Sequence, residues 1–318
     1  MTIESRGRDA RRAGDIPWSG WRDTLLRVRK RFIEDRLSVV AAGVAFYAVL
    51  ASFPGVMALL ALYGLAFDPD RMPVLLSSLS GHLSPGTSRM LLVLLQSLED
   101  TENQQRLRVG LIGGLLLTLW GASLGIRALM QALNIAYAEE ERRRFMPRMG
   151  LALLLTAGAI GVAVVLIAAV VGASAATAIL ELDPLLRGML IYARWPLVCI
   201  VFWVSLLVMY RYGPSRRQPR WSWVSWGAFI ATALWLTGSS ALSWYVQAFG
   251  SYGFSYGSVG LIVILFVWHL LSAFAVLLGA EVNAELERQT RMDTTVGPDR
   301  PIGERGAEVA DTVGKLDR

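Results

Sequence analysis

Six apolar runs, each long enough for a membrane-spanning helix, alternate with polar or charged connections along the chain. They lie near Leu37–Phe67, Val109–Tyr137, Met149–Leu180, Met189–Tyr210, Trp221–Phe249 and Ser258–Leu278. A hydrocarbon core about 30 Å thick takes about 20 helical residues. The first run carries no charge, and as one helix it would reach about 46 Å, leaving length for tilt or a break. The break, or a hinge, is expected at Pro54 and Gly55, because proline removes a backbone donor and clashes one turn back. The next stretch, Asp68 to Arg108, is moderately apolar but interrupted by Pro69, Pro73, Gly81 and Pro85. It predicts two short amphipathic helices, Val74–Leu83 and Ser88–Leu98, packed on the outer face. The pattern as a whole predicts an all-α polytopic membrane protein with about six transmembrane helices.

Charge orients this pattern. Ten basic residues precede the first run, from Arg6 to Arg36, and arginines crowd two connections: Arg142, Arg143, Arg144 and Arg148, then Arg211, Arg216, Arg217 and Arg220. The alternate connections are poorer in basic residues, although Arg71, Arg89, Arg106 and Arg108 weaken the contrast in the longest. The positive-inside rule places both termini and both arginine-rich loops in the cytoplasm. Residues 1–36 then form a basic cytoplasmic arm, 37–288 the membrane domain and 289–318 a polar, disordered cytoplasmic tail. Within the arm, Met1 to Gly14 reads as disordered. Trp18, Trp21, Leu25, Val28 and Phe32 fall on one helical face, with Arg27, Lys30 and Arg31 mostly away from it, as in an amphipathic helix of the headgroup layer. The partners implied are membrane lipids, with anionic headgroups at the basic arm, rather than nucleic acid. Trp18, Trp21, Trp195, Trp221, Trp223 and Trp226 sit near run boundaries, where indoles anchor at the interface.

Composition narrows the chemistry. The chain is 54% hydrophobic and 18% charged, with a formal net charge of +6 and a single cysteine, Cys199. One cysteine excludes an internal disulfide or a cysteine metal cluster. No HExxH, carboxylate cluster of metal spacing or glycine-rich phosphate loop occurs in the apolar runs, so no metal, cofactor or catalytic centre is expected. Gly121 and Gly125, with Gly158 and Gly161, have small-residue spacings that permit close helix approach and admit a homo-oligomer.

Polar residues inside apolar runs are the candidate site, since hydrocarbon penalises them and they turn to the bundle interior or to water. Ser123, Arg127, Gln131 and Asn134 fall within an arc of about 80° at about 100° per residue. The stripe serves either as interhelical glue or as the lining of a substrate pathway. Glu281 and Asn283 close the last run, and Arg127 and Glu281 are expected at similar depth and to pair, each otherwise an unpaired charge in a low-dielectric region. His269 stands alone in its run, either satisfied at a helix interface or acting as a proton relay.

Several segments resemble the YihY/BrkB family of bacterial inner-membrane proteins. They are Ala41-Ala-Gly-Val-Ala-Phe-Tyr-Ala48, Ser52-Phe-Pro-Gly55, Ala132-Leu-Asn-Ile-Ala-Tyr137, Tyr256-Gly-Ser-Val-Gly260, Trp268 and Gly279-Ala-Glu-Val-Asn-Ala284. The likeness runs from about Arg31 to Glu287, and departs at Gly213-Pro214-Ser215 and at Leu270. It implies a six-span helical protein of the inner membrane. Some members once carried a ribonuclease label, and others are linked to serum resistance or to lipid and lipopolysaccharide export. The expectation is therefore a transporter or flippase of a lipid-like or amphipathic solute rather than an enzyme. The alternative is a non-transporting scaffold of an envelope complex.

Overall fold

The computed structural model describes residues 6–66, 104–179, 183–253 and 257–315. The two short helices expected within 68–108, and His82 with them, lie outside these residues. The described chain is all-helical apart from one isolated bridge between Pro219 and Thr295. Eight α-helices follow in order: α1 (Trp18–Glu34), α2 (Leu37–Ala66), α3 (Gln104–Ala136), α4 (Phe145–Ile179), α5 (Pro184–Tyr212), α6 (Trp221–Gly253), α7 (Gly257–Glu287) and the short α8 (Glu308–Asp311). Within α4, α5 and α7, the segments Phe145–Leu166, Trp195–Tyr212 and Ile262–Glu287 are long and apolar enough to cross a membrane. Their outward surface agrees: Leu154, Val165, Ile200 and Val263 stand exposed without the polar cover that water would require.

The α2 helix continues through Pro54 and Gly55 as one element, so the expected break does not divide it. A proline removes a single ladder bond, and a helix packed along its length can keep its course through that loss. The packing is against α3 and α7, while α6 lies along α7 and α5 along α6. The core runs through Ala41 and Val44 of α2, Leu133 and Ala136 of α3, Ala228 and Ala231 of α6 and Leu277, Ala280 and Ala284 of α7. Small residues dominate it, as expected where association depends on close backbone approach.

The closest approach lies elsewhere than the sequence spacings suggested. A Cβ on Gly279 would sit 2.5 Å from the Gly227 carbonyl and 2.6 Å from the Tyr210 hydroxyl, so α6 and α7 cross at a pair of glycines. Gly121, Gly158 and Gly161 have nothing within 4 Å of an added Cβ, and Gly125 meets only ordinary contact. Asn283 locks the same crossing, its Oδ1 accepting from the Gly227 amide at 2.8 Å and its Nδ2 donating to the Val224 carbonyl at 3.2 Å.

Residues 6–14 and 289–315 are ordered at one end of the bundle, where disorder was expected. Arg8 donates to the carbonyls of Arg288 and Gln289, at the C-terminal end of α7, and to Gly314 at 2.6 Å. The last carbonyls of a helix lack intrahelical donors and carry partial negative charge, so a guanidinium there satisfies both needs. In the tail, Arg305 holds the carbonyls of Arg291, Met292, Arg300 and Ala310, and Asp293 accepts from the amides of Thr295 and Arg300. Composition marks such a segment as soluble; these long-range bonds are what order it.

The expected apolar face of α1 is shared between the bundle, which takes Trp21, Val28 and Phe32, and the outside. Gly20, Asp23, Thr24, Arg27 and Val28 are buried, whereas Trp18 is 77% exposed and Leu25 and Ile33 stand outward among Arg22, Arg29 and Arg36. The end of α7 offers both apolar Val282 and Leu286, which pack with Val28 and Trp21, and polar Glu285 and Gln289, which hold Arg27. Trp223 is wholly buried against Val28, Val282 and Leu286, a core residue rather than an interfacial anchor.

Candidate functional site

The α3 stripe separates into local arrangements. Ser123 is buried and its hydroxyl donates to the Trp120 carbonyl at 2.7 Å. Arg127 is half-buried, with its Nε donating to the Ser123 carbonyl at 3.2 Å. Its Nη2 is buried without a hydrogen-bond partner among the described residues. Gln131 is exposed. Asn134 is buried at the end of α3, where its Oδ1 accepts from the Ser215 amide at 2.8 Å and its Nδ2 donates to Glu141 at 3.2 Å. Asn134 therefore ties two loops together, leaving Ser123, Arg127 and Gln131 as the part of the stripe inside the apolar length.

Arg127 and Glu281 do not pair. No ion pair joins them among the described residues. Both Glu281 oxygens are buried without a hydrogen bond of good geometry, the Asp35 carboxyl being the group near enough to share a proton with them. Equal depth along two helices does not make two side chains face each other. Glu281 turns toward the α1–α2 junction, where Asp35 and Arg31, with Glu285 and Arg288 of its own helix, are the charges around it. Burial raises the Asp35 carboxyl above its ordinary range, with Arg31 and Arg288 pulling the other way. A buried carboxyl without an ion pair is costly within a helical bundle, and such groups mark proton, ion or substrate routes.

Two turns on, the same helix treats its glutamates differently. Glu285 accepts from Arg27 Nε at 2.6 Å and from Arg288 at 2.6 Å. Glu287 takes both Nη atoms of Arg216 at 3.1 and 2.8 Å, and the Thr294 hydroxyl at 2.7 Å. The side chains of Arg216 and Glu287 are fully buried, and the guanidinium lies 4.1 Å from the centre of the Tyr137 ring. Burial works against the charge on Arg216, but Glu287 more than offsets it and holds the arginine firmly protonated. This end of the molecule is a charge-paired clasp joining α1, the α5–α6 loop, α7 and the tail. The sequence reading assigned these arginines to topology, and their crowding in one loop was the single trace of the clasp.

His269 is satisfied between helices, with Nε2 3.2 Å from the Ser52 hydroxyl of α2 and Nδ1 2.8 Å from the Leu265 carbonyl. Nearby, Trp235 and Trp268 donate to Ser272 and Ser239, each at 3.2 Å, and link α6 to α7. These bonds close polar groups into the bundle rather than opening them to a cavity.

Comparison with known proteins fits this architecture. The family described as Virulence factor BrkB matches residues 28–301. The chain is 31% identical over 183 residues to the ribonuclease-like protein YfkH of Bacillus subtilis, covering 56% of this chain and 66% of that one. It is 29% identical over 273 residues to a UPF0761 membrane protein of Delftia acidovorans, covering 84% and 62%. It is 33% identical over 128 residues to the UPF0761 membrane protein YihY of Salmonella typhimurium, covering 34% and 44%. The chain thus spans about two thirds or less of the length of these curated relatives. No solved structure matches it.

Proposed function

Because the chain belongs to the Virulence factor BrkB family of membrane proteins, we propose that it is a transporter or flippase of a lipid-like or amphipathic solute in the bacterial inner membrane. The observation that carries this reading is Arg127. It lies nine residues before the end of α3, about 13 Å at 1.5 Å per residue. There it is half-buried, makes no ion pair among the described residues and keeps Nη2 buried without a partner. A guanidinium held within an apolar helix without a carboxylate is a receptor for a passing anion, and an amphipathic anion brings its own apolar part into the surrounding lipid. Ser123 and Gln131, a turn away on either side, would flank the headgroup. Pro54 and Gly55 would supply the flexibility for α2 to move against α3, and Glu281 of α7 a second polar step.

The reading includes six spans with both termini in the cytoplasm. It is supported by the collection of the arm, the tail, Arg142–Arg148 and Arg211–Arg220 at one end of the bundle. It includes no enzymatic step; the word ribonuclease belongs to the name of YfkH.

The test is mass spectrometry of what co-purifies in mild detergent with the wild type and with Arg127→Ala at matched folding. A lipid or lipid-linked anion enriched in the wild type and lost in the variant supports a substrate route and nominates the cargo. The same bulk lipid in both contradicts it and favours the non-transporting scaffold.

A further inference from the structure

Two pockets of about 490 Å³ each open at the clasped end of the bundle, and their charge differs. One is lined by Arg27, Lys30, Arg31, Arg288 and Lys315 together with Glu34, Glu285 and Glu308, so much of its positive charge is offset from within, Arg27 and Arg288 by Glu285. The other is lined by Arg142, Arg143, Arg211, Arg216 and Arg217, with no acidic residue in its wall. Behind that wall Glu141 pairs with Arg143 at 2.8 Å and Glu287 pairs with Arg216. Arg142, Arg211 and Arg217 make no ion pair among the described residues, which leaves a surplus of three positive charges around one pocket.

Three of the arginines also hold donors in reserve. Arg211 Nε, Arg216 Nε and Arg217 Nη1 are each buried without a hydrogen-bond partner among the described residues. They are held by other contacts. Arg211 donates through Nη1 to the Pro219 carbonyl at 2.8 Å and lies 4.3 Å from the centre of the Trp221 ring. Arg216 is clamped by Glu287 and Tyr137; at Arg217 it is the backbone that is held, its amide donating to the Gly306 carbonyl at 2.9 Å. A positioned guanidinium loses little entropy when an anion arrives, and its planar fork matches the oxygens of a phosphoryl group. Positive charges gathered in a concave wall also raise the local concentration of anions.

The geometry points to this pocket as a binding site for a phosphoryl or diphosphoryl anion, whether free in solution or borne on a lipid headgroup. The volume suits a small polyanion. Exposed Trp221, whose ring centre lies 4.3 Å from Arg211, is of a residue type that settles at headgroup depth, so both sources can reach the pocket. The site sits in the loops beyond α3 and α5 and does not rest on the transport reading, which concerns Arg127 inside α3.

The full-length chain in phosphatidylcholine nanodiscs is titrated with inorganic pyrophosphate by calorimetry. In parallel, protein from membranes containing phosphatidylglycerol and phosphatidic acid is examined by native mass spectrometry. Saturable pyrophosphate binding that weakens at least tenfold in Arg217→Gln, and steeply with salt, supports the site with a soluble ligand. Retained anionic phospholipid lost in Arg217→Gln, without pyrophosphate binding, supports it with a lipid ligand. Arg29→Gln, on the exposed side of α1, leaves either signal unchanged. If Arg217→Gln fails to fold, Arg142→Gln serves, because that side chain stands exposed at the rim; a loss of at least threefold is expected. No binding in either arm, or binding equal in the wild type and in the pocket variants, overturns the proposal.

Discussion

The end of α7 and the bundle before it handle buried charge in opposite ways. At the end, Glu285 and Glu287 are each held by guanidinium groups at 2.6 to 3.1 Å, and the tail adds a hydroxyl. Deeper in the bundle Arg127 keeps a donor, and at the α1–α2 junction Glu281 keeps both acceptors, without a hydrogen-bond partner among the described residues. The two glutamate environments lie within two turns of one helix, so local sequence does not set the difference. What sets it is the neighbour: Glu287 meets the α5–α6 loop, Glu285 meets α1, and Glu281 meets another carboxyl, Asp35. A buried charge with all its partners is a structural joint. One kept without them, at a cost in stability, is where function is to be sought.

The largest expected effect lies in the clasp. Glu287→Ala leaves Arg216 buried and uncompensated, and should destabilise the protein by about 3–5 kcal/mol, read as loss of thermal stability in nanodiscs. Arg216→Ala should cost about as much, and the double variant less than the sum, because the two act as one unit. Next comes the glycine crossing. Gly279→Ala forces a methyl against the Gly227 carbonyl and the Tyr210 hydroxyl. A cost of about 1–3 kcal/mol or more follows, while Gly121→Ala, with open space around it, should cost almost nothing. At the α1–α2 junction the sign should change: Glu281→Met replaces the buried carboxyl with an apolar group of similar length, and should be neutral or stabilising in the same melt.

The smallest effect is a pH response of the α3–α4 loop. Burial opposes the charge on Glu141, but hydrogen bonds and charge from Arg143 win and hold its pKa at about 2, below the ordinary 4.5. A depressed carboxylate contributes stability that is full above 4.5 and is lost as pH falls toward 2. Amide exchange across 139–148, corrected for its intrinsic rate, should therefore rise on acidification through that window. In Glu141→Gln it should already be fast at neutral pH.

The helices were legible because hydrophobic runs report spanning length directly, and the arginine-rich loops reported which connections share an end. Asn283 and Gly279 could be singled out by resemblance, but their role at the α6–α7 crossing needed the partner helix. At α1, helical phase grouped Trp18, Trp21, Leu25, Val28 and Phe32 on one face. Of these, Trp21, Val28 and Phe32 pack on the bundle while Trp18 and Leu25 stand exposed, and the burial of Arg27 by Glu285 needed the partner helix. For Arg127 and Glu281 the facing direction could not be read from the sequence, since it is set by the neighbouring helices. The folded tail was illegible for another reason: Arg8 finds its carbonyls at Arg288, Gln289 and Gly314, and no local window contains both partners.

The most direct measurement compares thermal stability and anion retention for Arg127→Ala and Glu287→Ala, side by side in one lipid composition. Arg127→Ala should melt close to the wild type and lose its co-purifying anion, whereas Glu287→Ala should lose stability first, with any anion loss only following unfolding. Strong destabilisation by Arg127→Ala together with unchanged lipid content would contradict the account, and would make the lone arginine a structural joint like the others.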